Sequence, residues 1–365
     1  MKKIGVITYY GVHNHGALLQ AYSLQQTIKN ISDYNPVFIT FDRDYSYLPK
    51  NDVSKYKKSL KSILYYLKYT KKVGLRNILF NLKKNKKLNT FKKTKFLFCK
   101  ETFSGECSKY VVGSDEVFAV DVGFNPFMYG IGFSKPFFSY AASFGSSVYN
   151  DLETKNLCEK IRKGLMSFES ISVRDANSFE IVQRLTKRDD LKMVCDPVLL
   201  YGFPEILPSP SKNKNKPFIL IYSYDKNMND KDEVKQIKEF AKKNNLMVIS
   251  VGFYHSWADK NINVDPFELI YWFDSCSFVI TDTFHGTVLS ILRNKSFVSK
   301  IRGNNNKLGF LLSQHNLNNR AIESFNDLDL LYNAKIDFES VNKIVEYNRK
   351  QSLDFLKDNL LNEYY

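Results

Sequence analysis

The sequence predicts an α/β protein built from two parallel, doubly wound halves, and three observations carry that expectation. Residues 218–299 alternate short apolar runs with longer amphipathic ones, the alternation that βα units of a parallel sheet produce. The chain also opens on a strand, a glycine-containing loop and a helix start. Between these two regions, the stretch from Tyr201 to Pro217 is rich in Pro, Lys and Asn and has no periodicity, so it reads as a linker. With 365 residues, 44% of them hydrophobic, the chain can bury two cores, each expected to be Rossmann-like.

In chain order, Lys3 to Thr8 is the first strand, and Gly11 to Gln25 is the loop and helix start that follow it. Val37 to Phe41, Tyr110 to Val112, Phe137 to Ala142 and Ser170 to Val173 are short β-rich runs ending in small or charged residues, expected as the remaining strands of the N-terminal half. Past the linker come strand Phe218–Tyr222, helix Asp230–Asn244, strand Met247–Val251 and helix Pro266–Ser275. Strand Phe278–Thr281, helix Gly286–Arg293 and strand Ser296–Ser299 follow. Asn304 to Lys307 reads as a polar loop before Leu308 to Leu312, and Phe338 to Leu361 as a long terminal helix packing back across the molecule. The expected division is therefore 1–205, 206–337 and 338–365.

Charge is concentrated in one place. The formal net charge is +15, and residues 51–100 hold 16 Lys or Arg against the single acid Asp52, so this segment carries the whole excess. Its lysines interleave with apolar residues at helical spacing, as in Leu75, Ile78, Leu79 and Leu82, which predicts a basic helical insertion in the N-terminal half. It could pack on that half or dock on an anionic membrane surface. No nucleic-acid module is recognisable, so nucleic acid is not an expected partner. Five cysteines, at 99, 107, 158, 195 and 276, form no C-x-x-C pair and no dense framework, which points to free thiols in a reducing, cytoplasmic setting, peripheral to the membrane if the insertion docks there.

Chemistry concentrates where strands meet helices. Phe278 to Ser290 runs from an apolar strand into a helix with His285 at the junction. A helix start offers unpaired N–H donors and partial positive charge, so Thr281, Thr283, His285 and Thr287 surround a natural seat for an anion. The alternative is that Thr281 or Asp282 only caps the helix and His285 is structural. The glycines at 11 and 16 lack dinucleotide spacing and no P-loop follows them. Asp42-Arg-Asp44 approaches a nucleotide-sugar metal pair without its apolar context, and no metal site is expected.

Six segments in order resemble the polysaccharide pyruvyl transferase family. They are Asn14-x-Gly16-Ala-x-Leu-Gln20-Ala-Tyr22, Val112-Gly-Ser114-Asp115, Tyr140-Ala-x-Ser143-x-Gly145, Ser172-Val-Arg174-Asp175, Asp196-Pro197 and Thr281-Asp-x-Phe284-His285-Gly286-Thr-x-x-Ser290. Glu116 and Phe118 stand where family members commonly carry Gln and Trp, and Thr283 where some branches carry arginine. The resemblance implies a GT-B-like pairing of the two halves. It also implies transfer of a pyruvyl group from phosphoenolpyruvate, as substrate and with no resident cofactor, to a glycan or lipid-linked oligosaccharide as a ketal. On that reading Arg174, Thr283, Phe284, His285, Gly286 and Thr287 face the donor, and Asn14, Gly16, Gln20, Ser114, Asp115 and Ser143 face the acceptor. Arg174 would clamp a donor anion through its planar fork, the alternative being an arginine paired with Asp175 or Asp196 for structure. His285 would serve as general acid or phosphate ligand, and Asp115 or His15 as base for the acceptor hydroxyl. Two alternatives remain: a GT-B glycosyltransferase using a nucleotide sugar, and a noncatalytic protein binding membranes or polyanions.

Overall fold

The computed structural model describes residues 2–40, 74–98, 107–121, 123–132, 135–207, 216–303 and 305–361. The N-terminal half begins with β1 (Lys3–Ile7), α1 (His15–Ile31), β2 (Asn35–Phe38), α2 (Leu75–Lys95), β3 (Cys107–Val112) and β4 (Phe137–Ser139). It continues with α3 (Tyr149–Thr154), α4 (Cys158–Leu165), β5 (Ser172–Val173), α5 (Ala176–Thr186), β6 (Lys192–Met193) and α6 (Pro197–Tyr201). The four-stranded sheet has the order β2-β1-β3-β4, all parallel, with Val6 opposite Phe38 on one side and Val111 on the other. A parallel bridge from Ala142 to Val173 carries the same direction on to the β5–β6 pair.

The C-terminal half contains β7 (Phe218–Tyr222), α7 (Lys231–Lys243), β8 (Met247–Val251), β9 (Lys260–Ile262), α8 (Pro266–Ser275) and β10 (Phe278–Thr281). After these come α9 (Phe284–Leu292), β11 (Phe297–Lys300), α10 (Asn305–Gln314), β12 (Ala321–Ile322), α11 (Leu328–Asn333) and α12 (Phe338–Leu361). Six parallel strands take the order β12-β11-β10-β7-β8-β9, with Ile280 flanked by Ile221 and Val298. Reversal of strand order at β7 and β10 makes the crevice beyond their C-terminal ends a ligand position for this architecture.

Each sheet is covered on both faces. Along β7, Ile219 and Ile221 enter one apolar cluster with Ile237 and Phe240 of α7, while Leu220 and Tyr222 enter another with Leu269 and Val288. That second cluster also contains Ile4 and Val6 of β1 and Leu18 of α1, so one continuous core joins the halves. Helix α12 returns to the first sheet: Phe355 packs on Tyr140, Arg349 donates to the Leu199 carbonyl at 2.5 Å, and Lys109 donates to the Asn359 carbonyl at 2.7 Å.

Several boundaries shift from their expected places for physical reasons. The strand expected over Phe137–Ala142 ends at Ser139, because Ala141 adopts a positive φ of 51° that turns the chain. Asn305 and Asn306 are not loop but the first turn of α10. Strands β9 and β12, three and two residues long, lie at the sheet edges. The expected Phe41, the pair Asp42 and Asp44, Cys99, and all of 51–100 except 74–98 lie outside the described residues.

The described part of the basic insertion packs on the C-terminal half, and not only on the N-terminal half where packing was expected. On α2, Lys84 is buried with its ammonium 4.6 Å from the Phe253 ring centroid, and Lys87 pairs with Glu268 at 2.6 Å. Asn81 donates to Asp225, Asn263 donates to the Phe80 carbonyl, and Phe91 meets Phe267 edge-on. One face of the helix is therefore committed to the C-terminal half, leaving Lys83, Lys86, Lys93 and Lys95 exposed. Among the described residues, no helix is long and apolar enough to cross a membrane.

Candidate active site

A cavity of about 500 Å³ opens between the two sheets, bounded by the loops after β1, β3 and β5 on one side and by those after β7, β10 and β11 on the other. His285 stands at its base. The turn that presents it is built from hydroxyls: Thr281 donates to the Tyr222 carbonyl at 2.6 Å and accepts from the Thr283 amide, while Thr283 caps α9 by accepting from the Gly286 amide at 3.0 Å. The cap is thus Thr283, rather than Thr281 or Asp282. Gly286 is required here because an added Cβ would come within 2.1 Å of the Thr281 hydroxyl.

Gly16, in the first turn of α1, meets the same imidazole from the other half. A Cβ at Gly16 would lie 2.3 Å from His285 Nδ1, so the absence of a side chain is what lets the two helix starts close on the ring. His285 Nε2 has no hydrogen-bond partner among the described residues and lies 3.8 Å from Asp196 Oδ2, with the side chain 12% exposed. Burial pulls its pKa below the usual 6.5; Asp196 and Asp115 oppose that pull, and Arg174 and Lys307 add to it. The resting imidazole is accordingly neutral around pH 7 and ready to accept a proton.

Arg174 lies behind the histidine, its side chain 2% exposed. Its terminal nitrogens donate to Asp196 at 2.8 Å and to Asp115 at 3.2 Å, and its guanidinium stacks 4.4 Å from the centre of the Phe284 ring. Burial opposes its charge, but the two carboxylates push its pKa higher still. This corrects the expectation of a donor clamp: both arms of the fork are already filled by carboxylates. Burial works against ionisation of Asp115, yet Arg174, with His285 and Lys307, holds its pKa below the ordinary value, so the carboxylate is ionised.

The other expected residues divide into two groups. Asn14, Asp115, Arg174, Thr283, Phe284 and His285 line the cavity together. Asn14 caps α1 by accepting from the Gly16 and Ala17 amides, and its amide nitrogen donates to the Tyr224 hydroxyl at 3.3 Å. His15, Gln20, Ser114, Ser143, Gly286 and Thr287 do not reach the cavity lining. His15 is fully buried, its Nε2 bonded to the Val264 carbonyl at 3.0 Å and its ring edge-on to Tyr222 and Phe253; burial lowers its pKa to about 3. An imidazole so placed is a structural contact between the halves and not a base in the cleft. Gln20 bonds Thr8 and Ser114, Ser143 bonds Asp175, and Thr287 bonds Ser299 at 2.6 Å, so each holds loop or strand ends from behind. His13, exposed, bonds Asn89 of α2.

The cavity also contains residues that motif reading did not single out as ligands: Glu116, Tyr224, Lys226, Asp282, Arg302 and Lys307. Arg302 is fixed by Asp282 at 2.8 Å and Glu233 at 2.9 Å. For Lys307 the available signal was its place in the first turn of a helix directly after a sheet strand. Among the described residues, no group of three or more His, Cys, Asp and Glu side chains is arranged to hold a metal ion.

Comparison with known proteins places this geometry. The chain resembles MnaA of S. aureus, solved with UDP, with a TM-score of 0.55 at 11% identity over 99% of this chain and 97% of the other. It is similar to the Methanocaldococcus jannaschii UDP-GlcNAc 2-epimerase (TM-score 0.50, 10% identity, 95% and 99% covered). A third likeness is to Arabidopsis thaliana UGT89C1 complexed with UDP-L-rhamnose (TM-score 0.52, 11% identity, 98% and 99% covered). At these identities the likeness establishes the GT-B-like α/β fold and nothing finer. Among curated proteins no match was found. The family model for polysaccharide pyruvyl transferases matches residues 14–301, from the cap of α1 through the α9 turn and β11, and the chain belongs to that family.

Proposed function

We propose that the protein transfers the pyruvyl group of phosphoenolpyruvate to two hydroxyls of one sugar in a glycan, closing a ketal and releasing phosphate. The observation that carries this reading is His285: a neutral imidazole that lines the cavity between the two sheets, its buried Nε2 turned toward Asp196 at 3.8 Å and backed by the carboxylate pair that Arg174 holds together. The reaction needs a group that takes a proton from a hydroxyl and returns one to the donor. In the balanced sequence, one acceptor hydroxyl adds to the enol phosphate carbon of the donor, and the hydroxyl proton taken up by His285 passes on to the methylene carbon. Phosphate then leaves with its electron pair, and the second hydroxyl closes the ring, its proton going to phosphate. His285 accepts the first hydroxyl proton, and Asp196 and Asp115 stabilise the imidazolium that results.

The cavity has room for a three-carbon donor beside a sugar ring, and Tyr9, Tyr224 and Phe253 offer aromatic faces for it. Lys83, Lys86, Lys93 and Lys95 are the exposed lysines of the described insertion left to meet an anionic surface carrying a lipid-linked acceptor. The UDP ligands of the fold neighbours favour a second reading, a nucleotide-sugar donor bound in the same crevice. Thermal-shift titration separates the two, because a ligand at one hundred times its dissociation constant stabilises by about 2.7 kcal/mol. Stabilisation by phosphoenolpyruvate and not by UDP or UDP-sugars is expected; the reverse pattern would replace the pyruvyl donor.

A further inference from the structure

Lys307 and Glu116 meet across the cavity. Lys307 lies in the first turn of α10 in the C-terminal half, Glu116 follows β3 in the N-terminal half, and the ammonium donates to Glu116 Oε1. The two arginines of the cavity are committed more firmly, and Lys226, which also lines it, makes no such bridge between the halves among the described residues. Arg174 is enclosed between Asp115 and Asp196, and Arg302 is fixed by Asp282 and Glu233 of its own half. The Glu116 side chain is 33% exposed and that of Lys307 16%, so their single bridge is partly open to water, and the carboxyl end of Glu116 rests against Gly145, where an added Cβ would lie 2.8 Å from the carboxyl carbon. An ion pair this open to water exchanges readily for another anion. The charge of Lys307 also reaches the reacting end of the cavity, where it lowers the proton affinity of both His285 and Asp115.

We propose that Lys307 is the docking cation for the anionic donor and that Glu116 is its internal competitor, holding the ammonium until the donor takes its place. The proposal rests on the reading of an anionic donor in this cavity and deepens it by assigning the counter-ion and the group that yields. Exchange releases the Glu116 carboxylate from Lys307, so that the pair ties the two halves together only while the site is empty. Glu116 thereby sets a threshold: weakly charged ligands cannot displace it, whereas a ligand carrying both phosphate and carboxylate can.

The test is calorimetric titration of the full chain with phosphoenolpyruvate and, separately, with inorganic phosphate. The proteins compared are wild type, Glu116→Gln, Lys307→Gln, Lys307→Arg and the double variant Glu116→Gln/Lys307→Gln, each checked for an unchanged melting curve without ligand. Removing the competitor should tighten phosphoenolpyruvate binding by about fivefold, the factor that an exposed ion pair of this kind commands. Lys307→Gln should weaken binding by about tenfold or more, and Lys307→Arg should retain most of it. Glu116→Gln should have no effect once Lys307 is gone, a non-additivity that two independent sites would not give. Wild-type affinity in Lys307→Gln, or equal tightening by Glu116→Gln in both backgrounds, would overturn the assignment. If the wild-type chain binds phosphate but not phosphoenolpyruvate, the pyruvyl reading fails while the phosphate series still judges the pair. If it binds neither, both fall.

Discussion

His285 and Gly16 come from different halves, and their contact shows how narrowly the site is specified. Replacing Gly16 with Ala forces the imidazole aside by the width of a methyl group, and misplacement of about 1 Å can cost about 100-fold in rate. We predict such a loss in kcat for Gly16→Ala with little change in circular dichroism. Arg174 behaves differently from a loop residue awaiting substrate. Its removal strands two carboxylates, one of them fully buried, so Arg174→Ala should cost stability as well as activity, about 3–5 kcal/mol by urea denaturation. Arg174→Lys should recover only part of that loss, because a single ammonium cannot span both acids. The lowered pKa of His285 fixes a pH response: if the neutral ring accepts the first proton, kcat/KM holds steady through neutrality and falls only as pH drops below 6.5 through the depressed value. A rate that instead falls as pH rises through neutrality would make His285 the acid. The position of His285 was legible in the sequence because an apolar strand run and a helical apolar spacing meet at it. Of the partners of Arg174, Asp196 was legible as a structural alternative, whereas Asp115, 59 residues away, was not. Thr287 and Gln20 lie in the same motifs as cavity residues but on the inward side of their helices, and spacing alone did not separate the two sides.

Among the elements, the four central strands of the C-terminal half, β7, β8, β10 and β11, were readable because they are buried almost throughout and their apolar runs are continuous, whereas the short edge strands β9 and β12 carry no such run. Helix α2 was readable as a helix and not as a partner. The stripe its pattern announces is not the one it buries: Leu75, Leu79 and Leu82 stay exposed, and the helix packs instead through Phe80, Lys84, Leu88 and Phe91, met by Phe253 and Phe267 from distant loops and helices. Lysines 84 and 87, which composition assigns to solvent, turn inward because an aromatic face and Glu268 receive them. The expected consequence is that α2 fastens the halves. Phe91, 4% exposed and packed on Tyr22, Phe96 and Phe267, anchors it, and Phe91→Ala should destabilise by about 3 kcal/mol, read as a lowered urea midpoint with unchanged slope.

At the scale of the molecule, one core running from β1 through α1 and α9 to α12 joins the two sheets, and the cavity opens where their polar strand ends face each other. The sequence announced two parallel halves, since each alternates strand and helix; it could not announce that the halves share a core, because that depends on which faces of α1, α6, α8 and α9 turn toward one another. The range matched by the family model includes the loops that bring Asp115, Arg174 and His285 to the cavity. The most direct measurement is release of phosphate from phosphoenolpyruvate by the purified protein, with and without a panel of glycans, with mass spectrometry of the glycan in parallel. The account predicts glycan-dependent phosphate release, a product heavier by one pyruvate less one water, and loss of both in His285→Ala despite normal folding. Glycan-dependent release that persists undiminished in His285→Ala, or no phosphoenolpyruvate turnover while a UDP-sugar is consumed, would contradict it.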